Sequence, residues 1–333
     1  MSMTDDLPEN VVSLIGSASF AQYATVSAAG SPIDTPVIFF PSDDLNIINL
    51  TTGLSYPAKA ERARRNPKVG LLIAGGPDEP IISIAGMAAV RDSDLQKNVD
   101  RYLAESSHTL PHDPDWSLAR QAVWYWTRII VEIKPKRIFW WDSPADMEGS
   151  PHRWDAPENA IFPESDPAPH GKTSRPAKWE EKLWRDLAEQ ALGRNVSGYL
   201  SVIDKEGFPL PMRLRSIAIA DSGFLIEMPA GVPWAIEGKA CLTFGGIETF
   251  LGEASVKDGQ VLMRVDRTLP VFPMTRDMTQ LWEPSEDTRR QLMRRLEQEL
   301  QRRGQPVPTV PDVRPEPSEA YRRRMEYRNV HTS

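Results

Sequence analysis

Residues 45–74 read LNIINLTTGLSYPAKAERARRNPKVGLLIA. Two apolar runs of strand length, Leu45–Leu50 and Val69–Ala74, flank a Thr51-Thr52-Gly53 turn and a basic segment, Tyr56–Arg65. That segment is long enough for about three turns of helix. The order is strand, turn, helix, strand. The turn sets backbone N–H groups and the hydroxyls of Thr51, Thr52 and Ser55 near a helix start, with Lys59, Arg62, Arg64 and Arg65 following. Hydroxyls, amide dipoles and cations in that order suit a phosphate. They also suit a solvated basic helix, the reading that chemistry alone slightly favours.

Outward from this stretch the pattern stays β-rich. A short amphipathic helix over Asn10–Ala21 precedes a strand at Tyr23–Ser27, and ATVSAAGSPIDTPVIFF (24–40) reads as strand, Gly-containing turn, strand. Gly75-Gly76-Pro77 breaks the chain before a strand at Ile81–Val90, and Ile129–Ile133 supplies another. Six strands with mostly hairpin links predict a small closed barrel, because closure removes sticky edges. Asp92 and Asp94 cap a helical insert, 92–128, whose second helix spans Trp116–Trp126. The aromatics Trp124, Tyr125, Trp126, Phe139, Trp140 and Trp141 suit core packing, or stacking against a ring.

The second half repeats the first. GYLSVIDKEGFPLPM (198–212) echoes QYATVSAAGSPIDTPV (22–37), aligning Tyr23 with Tyr199, Val26 with Val202, Gly30 with Gly207 and Pro32 with Pro209. Gly86–Asp92 matches Gly252–Asp258, and Val131-Glu132-Ile133 matches Met263-Arg264-Val265. The shared order of elements points to duplication. Only copy one has the basic helix and the insert; copy two has Gly231-Val232-Pro233-Trp234 in place of the helix. Copy two alone has Arg213 and Arg215, two apart and so on one face of a strand.

Lys59, then Asn66-Pro67, then Val69 heading an apolar strand, resembles the signature of the FMN-binding split-barrel family, the pyridoxamine 5'-phosphate oxidase-like proteins. The resemblance implies a mainly β fold with peripheral helices (α+β), two split barrels fused in one chain as a pseudo-dimer. The expected divisions are a first barrel over 1–141, a Pro-rich linker over 142–176 lying against the surface, a second barrel over 177–275 and a C-terminal helix and tail over 276–333. It implies FMN at the barrel–barrel interface, with Lys59 on the flavin phosphate and Thr51, Thr52 and Ser55 lining the turn. Ala58 stands where many relatives carry a second basic residue, and copy one lacks the second-strand arginine. Arg62, Arg65, Arg213 and Arg215 are therefore further phosphate candidates, the last two in a composite site between copies, with salt bridges on a barrel face as the competing role.

The implied function is an FMN-dependent oxidoreductase acting on a small organic molecule, aromatic compounds included. The alternatives are a deazaflavin-using protein, a haem-using one with His108 or His170 as ligand, and a cofactor-free small-molecule-binding protein with a degenerate site. Catalytic residues stay unassigned, with Tyr56 and Tyr199 as candidate proton donors and packing as their ordinary role.

Composition narrows the classes. At 333 residues the chain holds two ordinary domains, and a net charge of −7 argues against nucleic-acid or anionic-membrane binding. The acidic N-terminus and the lack of a long apolar run lead to the expectation of a cytoplasmic protein. Cys241 is the only cysteine, set in an apolar strand, so it reads as a structural thiol. His108, His112, His152, His170 and His331 are scattered, and no metal site is expected. Partners reduce to a small-molecule substrate, with further homo-oligomerisation open. Lys178–Leu192 and Glu286–Arg303 read as amphipathic helices, and the tail beyond, with Pro306, Pro308, Pro311 and Arg322–Arg324, as strapped or disordered.

Overall fold

The computed structural model describes residues 3–42, 44–110, 114–174, 183–257, 259–271 and 278–331. His112, Asp258, the start of the helix expected from Lys178 and the boundaries expected at 176/177 and 275/276 lie outside them.

Strands β1 (Phe20–Val26), β2 (Pro32–Pro41), β3 (Ile48–Gly53), β4 (Lys68–Ala74), β5 (Ile81–Arg91) and β6 (Arg128–Trp141) pair antiparallel in the order β3-β2-β1-β4-β5-β6. A further β3–β6 ladder closes the barrel. The N-terminal helices are α1 (Met3–Asp6) and α2 (Glu9–Ser17). The second is shorter than expected because Ala18 turns extended and Phe20 already pairs with Ile38. The basic helix is α3 (Ala58–Arg65). In the insert, α4 (Leu95–Ser106) carries the expected Asp94 cap. The single helix expected over Trp116–Trp126 is instead two short turns, α5 (Trp116–Ala119) and α6 (Val123–Trp126). Trp126 folds back so that its indole N–H donates to the Ala119 carbonyl at 2.7 Å.

The second sheet contains β8 (Gly198–Ile203), β9 (Pro209–Arg213), β10 (Ser216–Ala220), β11 (Gly223–Glu227), β12 (Gly238–Phe244), β13 (Glu248–Lys257) and β14 (Gln260–Thr268), with α7 (Trp184–Gly193) packed on it. Its order is β10-β11-β14-β13-β12-β8-β9. The end strands β9 and β10 are separated by only Leu214 and Arg215. Leu214 N–H donates to Gly198 in β8 and Arg215 N–H to Glu227 in β11, so consecutive residues draw the two ends of the sheet together. Together β9 and β10 correspond to β2, and the order of strands matches the first barrel.

Register tightens the duplication and corrects its alignment. Both copies carry a β-bulge at the same glycine, between Ala85 and Gly86 and between Leu251 and Gly252. Counting from it, Ile133 rather than Val131 corresponds to Met263. At the hairpin, Ala24 faces Asp34 and Gly70, and Ser201 faces Pro211 and Cys241. Tyr23 therefore corresponds to Leu200 and Val26 to Ile203, one residue from the alignment by identity. A one-residue slip moves a side chain to the other face, so matching letters misled there. Gly30/Gly207 and Pro32/Pro209 hold.

The barrels meet through a pseudo-twofold seam in which β4 packs on β9 and β12 on β2. Lys68 Nζ donates to the Glu206 carbonyl at 2.6 Å, and its counterpart Lys239 donates to the Ala29 carbonyl. Ala29 and Glu206 are themselves counterparts, so one contact is made twice, as in an isologous dimer. Gly70 faces Pro211, while its counterpart Cys241 faces Asp34, the counterpart of Pro211. An ion-pair set, buried Arg137 with buried Asp204 and exposed Glu206, also crosses the seam.

The linker and tail both return to the first barrel. Residues His152–Asp155 form β7 along the far half of β6, and the Asp166 carboxylate accepts from the Asp92 and Ser93 amides at 2.9 Å. After α8 (Glu286–Arg303), whose Leu292, Leu296 and Leu300 enter the first core, the proline-rich segment runs along the insert. There Trp116 Nε1 donates to Pro311 at 3.2 Å, and Ser318 N–H to Ala104 at 2.9 Å. The chain ends in α9 (Glu319–His331). The tail expected to be strapped or disordered is strapped. Among the described residues no helix is long and apolar enough to cross a membrane.

At the seam a Cβ on Gly70 would overlap the Pro209 carbonyl oxygen. Gly70→Val should therefore lower unfolding stability by about 1–3 kcal/mol, the usual cost of overpacking, read from the urea midpoint. An unchanged midpoint would mean that the barrels are not closely packed there.

Candidate phosphate site at the start of the basic helix

Helix α3 has three faces. Ala60 and Ala63 are buried against the barrel. Glu61 and Arg64 face carboxylates and arginines from elsewhere: Arg302 and Arg303 of α8 reach Glu61, and Arg64 meets Asp92 at 2.6 Å. Lys59 and Arg62, three apart, share the remaining face. Lys59 is largely buried, and Arg62 Nε donates to Thr25 Oγ1 at 2.7 Å. Opposite the turn, Arg128 opens β6 in register with Gly53. Its guanidinium lies 4.5 Å from the ring centre of Tyr102 and 4.1 Å from that of Tyr125, and donates to the Tyr102 hydroxyl at 3.3 Å. Its Nε is buried without a partner.

Among the described residues, no carboxylate comes within ion-pair distance of Lys59, Arg62, Arg65 or Arg128. These cations lack counterions, and for Lys59 and Arg62 burial works against the charge. Burial, then repulsion from Arg62 and Arg128, lowers the Lys59 pKa to about 8. Burial also lowers Arg62, to about 10. For Arg128 burial opposes the charge, but Tyr102, Tyr125 and Tyr56 outweigh it and raise its pKa. Buried cations without counterions cost free energy that an anion would recover. Nearby arginines are matched: Arg91 to Glu132 and Asp166, Arg303 to Asp92 and Glu299.

The other expected phosphate candidates are dispersed. Thr51 and Thr52 are buried in β3, and the Thr52 hydroxyl donates to the Tyr56 carbonyl at 3.2 Å. Ser55 donates to Leu292 in α8 at 3.1 Å, which commits its proton to the tail. Arg65 donates to the Val26 carbonyl at 3.3 Å. Arg213 and Arg215 line a separate groove of about 340 Å³ with Met147, Glu148 and Pro229, and Arg215 pairs with Glu148 and Glu227. The charges acting on Lys59 are Arg62 and Arg128, both from the first barrel, whereas Arg213 acts on Tyr199. The position of α3 in copy two is filled: Gly231 N–H donates to Met147 at 2.8 Å, and Trp234 packs on Phe139 with ring centres 5.7 Å apart.

Sequence reading missed Arg128. The signal was one cation inside VWYWTRIIVEI (123–133), a stretch otherwise apolar but for Thr127 and Glu132. Tyr56 and Tyr199 have pKa values raised first by burial, so both keep their protons at neutral pH. His108 is exposed and bonds the Pro315 carbonyl at 2.8 Å, and His170 is exposed on the linker, so neither faces the seam as the haem alternative requires. Trp124, Tyr125 and Trp126 pack in the first core, whereas Phe139 and Trp141 join the seam cluster with Met212.

Close to Arg62 the seam has a polar half. Asp34 is fully buried; its backbone N–H donates to Cys241 Sγ at 3.4 Å, Ser201 donates to its Oδ2 at 3.2 Å, and Oδ1 has no partner. Burial drives its carboxyl up to about 7 and pushes the Cys241 thiol upward as well.

No family model matches the chain, and no curated protein matches it. Solved structures do. General stress protein 26 from Bacillus anthracis str. Sterne is 19% identical over 44% of this chain and 97% of its own, with a TM-score of 0.31. A pyridoxamine 5'-phosphate oxidase-related, FMN-binding protein from Nostoc punctiforme PCC 73102 is 16% identical over 39% and 80%, with a TM-score of 0.30. An F420 reductase is 18% identical over 40% and 98%, with a TM-score of 0.31. The chain is similar to pyridoxamine 5'-phosphate oxidase-like split-barrel proteins. Each match covers less than half of it.

Asp34 makes stability depend on pH. Folded, it keeps its proton to about pH 7; unfolded, it loses it near 3.8. The folded state holds the extra proton between those values, so stability falls as pH rises from about 4 to 7 and levels off above. Asp34→Asn should remove this slope, gaining on the wild type by up to about 4 kcal/mol across the window in urea unfolding at pH 4.5 and about pH 8. Parallel profiles would place the Asp34 carboxyl in the ordinary range.

Proposed function

We propose that the chain binds a phosphate-bearing flavin or deazaflavin, FMN first among them, and acts as an oxidoreductase on a small organic molecule. The observation that carries this reading is the uncompensated cluster of Lys59, Arg62 and Arg128, with Arg128 Nε buried and unpartnered. The cofactor class follows the likeness of the Lys59, Asn66-Pro67, Val69 pattern to the FMN-binding split barrels. A phosphate dianion fits the donor set: two guanidinium groups and an ammonium beside the first turn of α3.

Within this reading Lys59, Arg62 and Arg128 hold the phosphate, with Arg62 steered by its hydrogen bond to Thr25. Gly53 leaves room for the arrangement, since a Cβ there would stand 2.8 Å from the Tyr56 ring. Tyr56 and Tyr199, protonated at neutral pH, serve as hydrogen-bond donors rather than bases. A bound flavin supplies hydride or electron transfer; the protein supplies position and charge.

Lys59→Ala should weaken FMN binding about 10- to 100-fold and leave riboflavin, which lacks the phosphate, nearly unaffected. Because Lys59 loses its proton near pH 8 in the free protein, FMN affinity should hold below that pH and fall above it, by up to about tenfold per unit. Fluorescence titration from pH 6.5 to about 9.5 reads both. Equal FMN affinity in wild type and Lys59→Ala would remove the site.

A further inference from the structure

Helix α8 lies across the turn that carries the site. Ser55 is bonded to its backbone at Leu292, and Arg302 and Arg303 clamp its end to Glu61 and Asp92. One turn past Leu292, Arg295 points at the same place. Its guanidinium stands 5.8 Å from the ring centre of Tyr56, three residues before Lys59. Tyr56 lies within the electrostatic reach of both Arg295 and Arg128, so the two guanidinium groups approach one phenol from opposite elements.

Arg295 differs from the other arginines on the barrel side of α8. Arg302 and Arg303 each meet Glu299, and they share Glu61. Arg295 has no ion-pair or hydrogen-bond partner among the described residues, and its Nε is buried and unpartnered. Glu299, one turn on, acts on it from a distance but is already held by Arg302, Arg303 and the Ser174 amide. Tyr56 is thus flanked by two cations without counterions, the half-buried Arg295 and the buried Arg128, an arrangement that an anion at this turn would relieve.

We propose that Arg295 is a fourth ligand of the phosphate, so that the C-terminal helix is part of the binding site and is clamped by the bound anion. This rests on the reading of Lys59, Arg62 and Arg128 as the phosphate site, and extends it to a segment outside both barrels. A dianion on four cations closes the charge balance that the barrel alone leaves open. It also gives α8 a second attachment to the turn beyond Ser55.

The test uses the full chain, inorganic phosphate and FMN as probes, and Arg295→Met, which keeps packing on Tyr56 but removes the charge. Expected is a phosphate and FMN dissociation constant raised about tenfold, with riboflavin binding unchanged and Arg295→Lys restoring most of the loss. Phosphate should also protect α8 amides from hydrogen exchange in wild type and not in Arg295→Met. Lost binding in Lys59→Ala with full binding and protection in Arg295→Met would overturn this role alone. Full binding in both variants would overturn the phosphate site itself. Should Arg295→Met fail to fold, Arg295→Gln serves with the same expected and contrary results.

Discussion

The seam between the two barrels is the constraint on which the rest depends. It is made twice by the same backbone geometry, Lys68 on the Glu206 carbonyl and Lys239 on that of Ala29. An isologous contact inside one chain is what fusion of a symmetric dimer produces. Fusion then frees each half to diverge, and the two halves of the seam have done so. Around Gly70 it is apolar and close enough to exclude a side chain; around Cys241 it holds Asp34 and Ser201.

That divergence leaves one candidate site. Copy one keeps the helix that presents Lys59 and Arg62, while the equivalent place in copy two is taken up by Gly231 and Trp234 packed on the Met147 turn and Phe139. Arg213 and Arg215, the cations of copy two, belong to a groove where Glu148 and Glu227 already balance one of them. The tail reinforces the asymmetry. Linker and C-terminal segment both wrap the first barrel, adding β7 to its sheet and α8 to its core.

Much of this was legible from residues. The basic helix, the six-stranded barrel and the duplication all follow from period and repetition, because hydrophobic pattern and register are tightly linked in a barrel. Thr51-Thr52-Gly53, read as a turn, instead ends β3 in register with β6, and the turn falls just after it. The site was legible through Lys59 and Arg62, which share a helix. Arg128 was not, because it comes from a strand about 70 residues later and reaches the turn only through the β3–β6 closure. The repeat was found but slipped by one at Tyr23, since identical letters outweighed the alternation of faces. Ser55 and Arg295 depend on the docking of α8, which no local pattern encodes; likewise β7 is a short polar strand that forms because β6 offers it an edge.

The central claim is that a fused pair of barrels holds one phosphate-bearing cofactor. Calorimetric titration of FMN into the purified chain, with native mass of the complex, tests it most directly. The account predicts saturation at one FMN for each chain whether the chain is monomeric or assembled. Two FMN for each chain, or no binding at all, would contradict it.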